Sequence, residues 1–170
     1  MAAPRYIGRV LGKFKQIVAA VVATADSIVA TDSSGRIDIS FLPVGVGAEV
    51  VVCTTSENIA AGAFVNLYNN GGTLTARNAD ATTTGKPAMG FVLAATLSGA
   101  NATVYFTSNT NTAMSGLTIG AEYWLDKTTP GGVVVAASAP TSAGNGNQYL
   151  GVALSATSMS VNIEEMVEMA

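Results

Sequence analysis

Gly62-Ala63-Phe64-Val65-Asn66-Leu67-Tyr68 is the stretch that decides how this chain folds, because a version of it returns as Gly120-Ala121-Glu122-Tyr123-Trp124-Leu125-Asp126. Each copy opens with Gly-Ala and then places apolar side chains at every second position, which is typical of a β-strand. A recurrence of this kind in a chain of 170 residues indicates two copies of one structural unit. We place these copies at about 59–106 and 117–163.

Two further segments recur in the same order, which extends the repeat beyond its first strand. Residues 89–95 correspond to residues 150–156, and residues 103–106 correspond to residues 160–163. The offsets are 58 (62 to 120), 61 (90 to 151) and 57 (104 to 161). Because these offsets are nearly equal, we expect the two copies to differ only by small loop insertions.

The period of two also predicts which side chains face the core. In the opening strands we expect these to be Ala63, Val65 and Leu67 in the first copy, and Ala121, Tyr123 and Leu125 in the second. In the later strands the same period predicts that the inward side chains are Phe91, Leu93, Val104, Phe106, Val152, Leu154, Val161 and Ile163.

From residue 48 onwards, short apolar runs alternate with turn residues, which is the pattern of an all-β domain. Strands are predicted at about 49–54, 63–68, 72–76, 89–95, 102–107, 121–126, 132–137, 149–155 and 159–165. Two similar four-strand units, each unable to bury its apolar face alone, would close on one another as a small barrel or sandwich. We therefore predict an all-β domain over residues 48–170, preceded by an extended N-terminal arm over residues 1–47.

The arm combines a basic start with an apolar run. Residues 13–25 are open between a short helix and a strand, and their β-branched residues favour the strand. Residues 32–35 predict a turn between two extended pieces. An interface with another protein or with other subunits is predicted for Arg5, Arg9, Lys13, Lys15, Ile17, Val18, Val21, Val22, Ile28, Phe41 and Leu42.

Composition narrows the classes of partner. Hydrophobic residues make up 49% of the chain and charged residues 11%, which suits a protein packed against neighbours. The net charge of −3 argues against nucleic acid as a partner of the whole domain. The basic arm leaves contact with phosphates open, alongside a merely solvated terminus. No apolar run is long enough to cross a bilayer, so no membrane partner is predicted.

The side chains that usually carry catalysis or bind metal are scarce. The chain has no histidine and a single cysteine, Cys53, in an apolar alternating context. The carboxylates Glu164, Glu165 and Glu168 are open to a metal site, but their spacing favours a solvated acidic tail. We predict no catalytic residue, no metal and no cofactor. A stacking face for sugars or bases is a further possibility, with core packing as its alternative, for Trp124, Tyr68, Tyr105 and Tyr123.

Five segments carry a resemblance to a known group of proteins. They are residues 59–62, 76–80, 86–92, 116–120 and 148–155. In their pattern they resemble the small β domains of tailed-bacteriophage virion proteins, and they are most similar to capsid decoration, or cement, proteins.

This resemblance, which covers roughly residues 57–165, implies a non-enzymatic virion protein on the capsid surface. Proteins of this kind bind the major capsid protein from outside, often as homotrimers, and brace the shell. A different element, residues 32–38 followed by residues 41–43, resembles linkers of phage head and tail fibres. It keeps open an alternative, a fibre protein that binds a host receptor or glycan. A hydrolase ranks last, since the sequence places no paired acid and base.

Overall fold

The computed structural model of the protein describes residues 5–10, 13–20, 22, 28–33, 35–38, 41 and 47–170. The chain divides into two compact units, Met1–Gly47 and Ala48–Ala170.

The N-terminal unit contains a three-stranded sheet in the order β1-β2-β3. Strands β1 (Arg5–Val10) and β2 (Lys13–Ala20) pair antiparallel, and β3 (Ile28–Val29) runs parallel to β2. The segment that the sequence left open between helix and strand is therefore a strand from residue 13 to residue 20. Because pairing satisfies backbone N–H and C=O groups that a lone extended arm leaves to water, this part of the arm has sheet structure of its own.

The predicted turn after β3 is confirmed. The Gly35 N–H donates to the Asp32 carbonyl oxygen over 3.1 Å, and the Asp32 N–H donates to the Arg36 carbonyl oxygen over 2.8 Å. The Arg36 N–H in turn donates to Oδ1 of Asp32 over 2.9 Å. A short acidic side chain that bonds to the backbone of its own turn is a usual feature of such loops.

The first half of the C-terminal unit is a closed five-stranded barrel in the order β4-β6-β5-β7-β8. Its strands are β4 (Val50–Thr55), β5 (Phe64–Asn70), β6 (Thr73–Asn78), β7 (Gly90–Val92) and β8 (Asn101–Tyr105). The neighbouring strands pair antiparallel, except for the parallel β4–β6 pair that closes the barrel. The prediction of an all-β domain with a small barrel is thus confirmed.

The second half contains an open five-stranded sheet in the order β11-β10-β13-β14-β9. A separate two-stranded sheet is formed by β12 and β15. One turn of 3-10 helix, Ala136–Ser138, follows β11. The strands are β9 (Thr110–Asn111), β10 (Glu122–Leu125), β11 (Val133–Val135), β12 (Gly146–Asn147), β13 (Tyr149–Ser155), β14 (Ser158–Val161) and β15 (Val167–Glu168).

The barrel and the open sheet share one strand order. Read around the closed barrel, the order is β6-β5-β7-β8-β4. The open sheet has the corresponding strands in the same order, β11-β10-β13-β14-β9. The registers also agree, since Phe64 faces Phe91 across the β5–β7 pair and Glu122 faces Val152 across the β10–β13 pair. These partners are offset by 58 (64 to 122) and 61 (91 to 152), as in the sequence.

The glycine turn that opens each copy is also repeated. The Gly62 N–H donates to the Val92 carbonyl oxygen, and the Gly120 N–H donates to the Ala153 carbonyl oxygen, both over 2.9 Å. The two glycines have φ of 79° and 75°, a left-handed backbone conformation that is unfavourable for residues with a Cβ. Glycine at these turns is therefore what lets each opening strand begin beside its partner.

The offset between β8 and β14 differs by two residues from the 57 (104 to 161) that the sequence repeat gives. Val92 faces Val104 in the barrel, whereas Ala153 faces Met159 in the open sheet, which gives 55 (104 to 159) in place of 57. A shift of two residues leaves the facing of a strand unchanged. Both Met159 and Val161 are accordingly buried.

The barrel interior confirms part of the predicted facing. Its cluster consists of Cys53, Ile59, Ala63, Val65, Ala76, Val92, Ala102 and Val104, with Val51 and Leu67 packed against it. In the open sheet, Tyr123, Leu125 and Val161 are buried in a second cluster, and Ala121 and Ile163 pack against it. Phe106 is half-buried.

The predicted facing is wrong along β7 and β13. Val92, and not Phe91, lies in the barrel interior, while Phe91 and Leu93 belong to the second cluster. In the open sheet Ala153 is buried, and Leu154 is 54% exposed. The predicted Val152 is only half-buried. The reason is register: Phe91 faces Phe64, and directly opposed residues project to the same side of a sheet.

The second cluster joins the two halves of the unit. Phe64 and Phe91, which project from the outer surface of the barrel, are fully buried among Leu125, Leu150 and Met159. The ring centroids of Phe64 and Phe91 lie 6.0 Å apart, and Tyr105 stacks on Phe91 at 5.6 Å. The two copies therefore do not close on one another as predicted, since the first closes alone with β4 and the second packs on its outside.

Gly131, in the β10–β11 turn, links the open sheet to the barrel through two backbone hydrogen bonds. Its carbonyl oxygen accepts from the Phe64 N–H over 2.9 Å, and its N–H donates to the Ala79 carbonyl oxygen over 2.7 Å. Its φ is +73°, and a Cβ built there would lie 2.9 Å from Oδ1 of Asn78 and 3.0 Å from Cβ of Ala63. The turn thus approaches the barrel as closely as a glycine allows.

The buried amide of Gln148 makes a second link. Its Oε1 accepts from the Ala88 N–H over 2.7 Å, and its Nε2 donates to the carbonyl oxygens of Ala88 and Glu164, both over 2.9 Å. A side chain that is 2% exposed is therefore fully hydrogen-bonded. Its bonds hold a barrel loop and the C-terminal segment in one arrangement.

Gly131→Ala is expected to destabilise the C-terminal unit more than Gly144→Ala. Both glycines have positive φ, 73° and 79°, but no atom lies within 4 Å of a Cβ built at Gly144. The shared backbone strain costs about 1–2 kcal/mol, and the crowding at Gly131 adds roughly 1–3 kcal/mol. In thermal unfolding, the Tm of Gly131→Ala should be lower than the Tm of Gly144→Ala by roughly 2–12 °C. Equal Tm values for the two variants would contradict the close approach.

Candidate functional site

The structure describes most of the predicted interface residues. Arg5 and Arg9 lie in β1, and Lys13, Lys15, Ile17 and Val18 lie in β2. The antiparallel register therefore brings all four basic residues into one hairpin. Val22 and Ile28 are exposed, and Phe41 is half-buried. Val21 and Leu42 lie outside the described residues.

Three of the aromatic residues considered for a stacking face are engaged in packing. Tyr123 is 5% exposed, and its hydroxyl oxygen accepts from the Thr118 N–H over 2.9 Å. Tyr105 stacks on Phe91. The ring of Tyr68 lies under the guanidinium of Arg77, with 4.3 Å between the guanidinium carbon and the ring centroid. Tyr105 also lines a groove beside β8, and Trp124 lines a cleft together with a second aromatic residue, Tyr149.

That cleft, which we call the Trp124 cleft, lies on the outer face of the open sheet and has a volume of about 410 Å³. Trp124 and Tyr149 face each other across the β10–β13 pair, with ring centroids 5.3 Å apart and planes at 75°. The register shifts beside Trp124, between residues 123 and 124. The cleft is lined by Glu122, Trp124, Asn147, Tyr149, Asn162, Glu164, Glu165 and Val167.

The Trp124 cleft is acidic. Glu122, Glu164 and Glu165 line it, and none of these carboxylates has an ion pair with a described residue. Burial raises the pKa of the Tyr149 phenol, and the negative charges of Glu122 and Glu164 raise it further. Within the described ranges no group of three or more His, Cys, Asp or Glu side chains could hold a metal ion. The cleft therefore combines a negative potential with two aromatic rings.

The repeat explains why this cleft is open. Glu122 and Val152 occupy the positions that Phe64 and Phe91 occupy in the barrel. The barrel face is covered by the open sheet, whereas Glu122 is exposed. A glutamate in place of a phenylalanine gives this face of the open sheet a charged side chain, which is suited to contact with water.

Sequence reasoning found only Trp124 and the acidic tail among the residues of the cleft. It missed Glu122, Asn147, Tyr149 and Asn162. One signal for Glu122 was present, since the repeat replaces Phe64 by a glutamate in an otherwise similar strand. The other residues come together only because β13 and the C-terminal segment meet beside β10.

A second surface, which we call the β4 face, lies on the outside of the barrel. Val50 and Val52 are exposed and alternate along β4 with residues of the barrel interior. Val52 faces Thr103 on β8, and Thr103 shares with Leu97 a groove of about 400 Å³. Val52 is 61% exposed and Leu97 is 73% exposed. The β4 face thus consists of the exposed Val50 and Val52 together with the groove beside Thr103 that Leu97 lines.

Comparison with models of known protein families and with curated proteins finds no match for this chain. In the described part of the chain, no helix has both the length and the apolar character needed to span a membrane.

The pKa of Tyr149 provides a test of the potential in the cleft. We expect Glu122→Gln to lower the pKa of the Tyr149 phenol, because the substitution removes a negative charge that opposes phenolate formation. The measurement is an ultraviolet titration of phenolate absorbance. Because the chain has five tyrosines, the Tyr149 signal is taken as the difference from Tyr149→Phe in each background. An unchanged Tyr149 pKa would place Glu122 too far away to act on the cleft.

Proposed function

We propose that this protein is a non-enzymatic structural component of a virion, which binds the outside of a phage capsid and stabilises the shell. The observation that supports this proposal best is the β4 face, where Val50, Val52 and Leu97 are exposed on a closed barrel. Where exposed apolar side chains lie next to one another, they are typical of a surface that binds another protein. The resemblance of residues 57–165 to capsid decoration proteins supports the major capsid protein as the proposed partner.

The barrel suits this role because Val50 and Val52 of the β4 face are not part of its packed interior. Val51 and Cys53 pack toward the interior, so that Val50 and Val52 must project outward from the same strand. A closed barrel also has no free strand edge that would pair with the wrong partner. Complete burial of one such side chain on the shell contributes about 1.5–3 kcal/mol before the costs of association.

Attachment to a shell also benefits from a second point of contact. The basic and apolar residues of the N-terminal unit are proposed to reach a neighbouring subunit, so that one bound unit raises the effective concentration of the other. We propose a homotrimer as the assembled form, in line with the resemblance. The mass of the purified protein in solution tests this stoichiometry.

Val52→Asp is expected to weaken binding to the shell by at least about tenfold, because a carboxylate would be desolvated where an apolar contact is lost. The measurement is co-sedimentation with phage heads assembled without this protein. Ile119→Asp is the matched control, since Ile119 is 71% exposed but belongs to no barrel strand and does not line the groove beside Thr103. If both variants bound heads like the parent protein, the β4 face would not be the docking surface.

Deletion of residues 1–47 is expected to leave the C-terminal unit folded and to weaken its attachment to heads. The division of the chain after Gly47 supports independent folding of residues 48–170. Circular dichroism and thermal unfolding check the fold, and co-sedimentation checks the attachment. Unchanged affinity of the truncated chain would show that the N-terminal unit is not a tether.

The alternative, a fibre protein that binds a glycan, predicts stacking aromatics on an exposed surface. Trp124 and Tyr149 lie in an open cleft, but their planes meet at 75° and do not form a flat platform for a sugar ring. The glycan alternative stays a prediction, and one arm of the experiment below tests it.

A further inference from the structure

We propose that the Trp124 cleft binds the guanidinium group of an arginine that a basic segment of a partner polypeptide presents. This inference does not depend on shell binding, because it concerns the open sheet and not the β4 face. It rests on three observations: the pair of aromatic rings, the carboxylates around them, and a comparison of the two copies of the repeat.

The aromatic pair supplies one half of the site. Trp124 and Tyr149 meet edge to face at 5.3 Å, and both residues line the cleft. The faces of aromatic rings attract cations, tryptophan most strongly, and a planar guanidinium can also stack on them. Both rings are half-buried, so their positions are fixed by packing before a ligand arrives.

The carboxylates supply the other half. Glu122 and Glu164 lie close enough to Tyr149 to raise its pKa, and Glu165 lines the same cleft. Asn147 lines it too, and its Nδ2 donates to the Pro140 carbonyl oxygen over 2.9 Å, which fixes the orientation of its amide. Carboxylate oxygens accept bidentate hydrogen bonds from a guanidinium. A neutral sugar would instead have to desolvate these charges without neutralising them.

The first copy of the repeat shows the same chemistry with its cation inside the chain. In the barrel, Arg77 faces Asn66 across the β5–β6 pair, donates from Nε to Oδ1 of Asn66 over 2.9 Å and lies over the ring of Tyr68. In the open sheet the corresponding pair is Trp124 and Val134. The second copy therefore presents an aromatic ring where the first has Asn66, and lacks the arginine.

This comparison indicates what the second copy has gained and lost. Replacement of an arginine by Val134 removes the internal cation, while Glu122 adds a negative charge at the position of Phe64. Both differences make the outer face of the open sheet more negative than the corresponding face of the barrel. A guanidinium from another polypeptide would neutralise the carboxylates and contact Trp124 at the same time.

Tryptophan fluorescence gives a direct test, because Trp124 is the only tryptophan in the chain. The full-length protein is titrated with a blocked tetra-arginine peptide, a blocked tetra-serine peptide and a neutral chitin tetrasaccharide. We expect tetra-arginine to change the Trp124 fluorescence in a saturable way, with an affinity that falls as salt is added. The other two probes should leave the fluorescence unchanged. Calorimetry of the same titrations detects any binding to which the fluorescence is insensitive.

Glu164→Gln is the informative variant, and Glu49→Gln is its matched control. Both carboxylates are exposed, but Glu49 precedes β4 and is not part of the cleft. We expect Glu164→Gln to weaken tetra-arginine binding by roughly two- to fivefold, as for the loss of one solvent-exposed ion pair. Glu49→Gln should bind like the parent, and the Tm values of both variants should match it.

Three outcomes would overturn the proposal. They are the absence of tetra-arginine binding by both methods, equal loss of binding in Glu164→Gln and Glu49→Gln, and saturable binding of the tetrasaccharide in place of tetra-arginine. The last outcome would assign the cleft to a glycan. Failure of the shell experiment with Val52→Asp would leave this result untouched, because the two tests use different surfaces and different ligands.

Discussion

The structure of the C-terminal unit depends on one contact, the burial of the aromatic side chains that project outward from the barrel. Phe64 and Phe91 face each other across β5 and β7 and point away from the small barrel interior. They are fully buried beneath the open sheet. Because apolar burial is the main favourable term in folding, this contact decides that the second copy packs against the first.

The same contact explains why two copies of one unit have different shapes. Small side chains such as Ala76 and Ala102 fill the first interior, so that its strands approach closely enough for β4 and β6 to pair. The second cluster contains Leu125 and Met159 and also receives Phe64 and Phe91. Between residues 47 and 170 no hydrogen-bonded pair joins β9 to β11, and the sheet stays open around the inserted rings.

The candidate sites lie where this arrangement leaves surfaces uncovered. The barrel uses one part of its outer surface to hold the open sheet, which leaves Val50 and Val52 on the β4 face. The open sheet uses its inner face to cover the barrel, which leaves Trp124 and Glu122 on its outer face. An apolar surface and an acidic aromatic cleft therefore lie on different halves of one unit, and they suit partners of different chemistry.

The sequence by itself determined the all-β class, the positions of the main strands after residue 48 and the turn after β3, because alternation and turn residues act over a few neighbours. It also determined that Val65 and Val104 face inward. Only the tertiary structure decided that Phe91 faces outward, since strand register depends on a partner distant in the chain. The Trp124 cleft likewise required the tertiary structure, because Tyr149 reaches Trp124 through the β10–β13 pairing and through no local pattern.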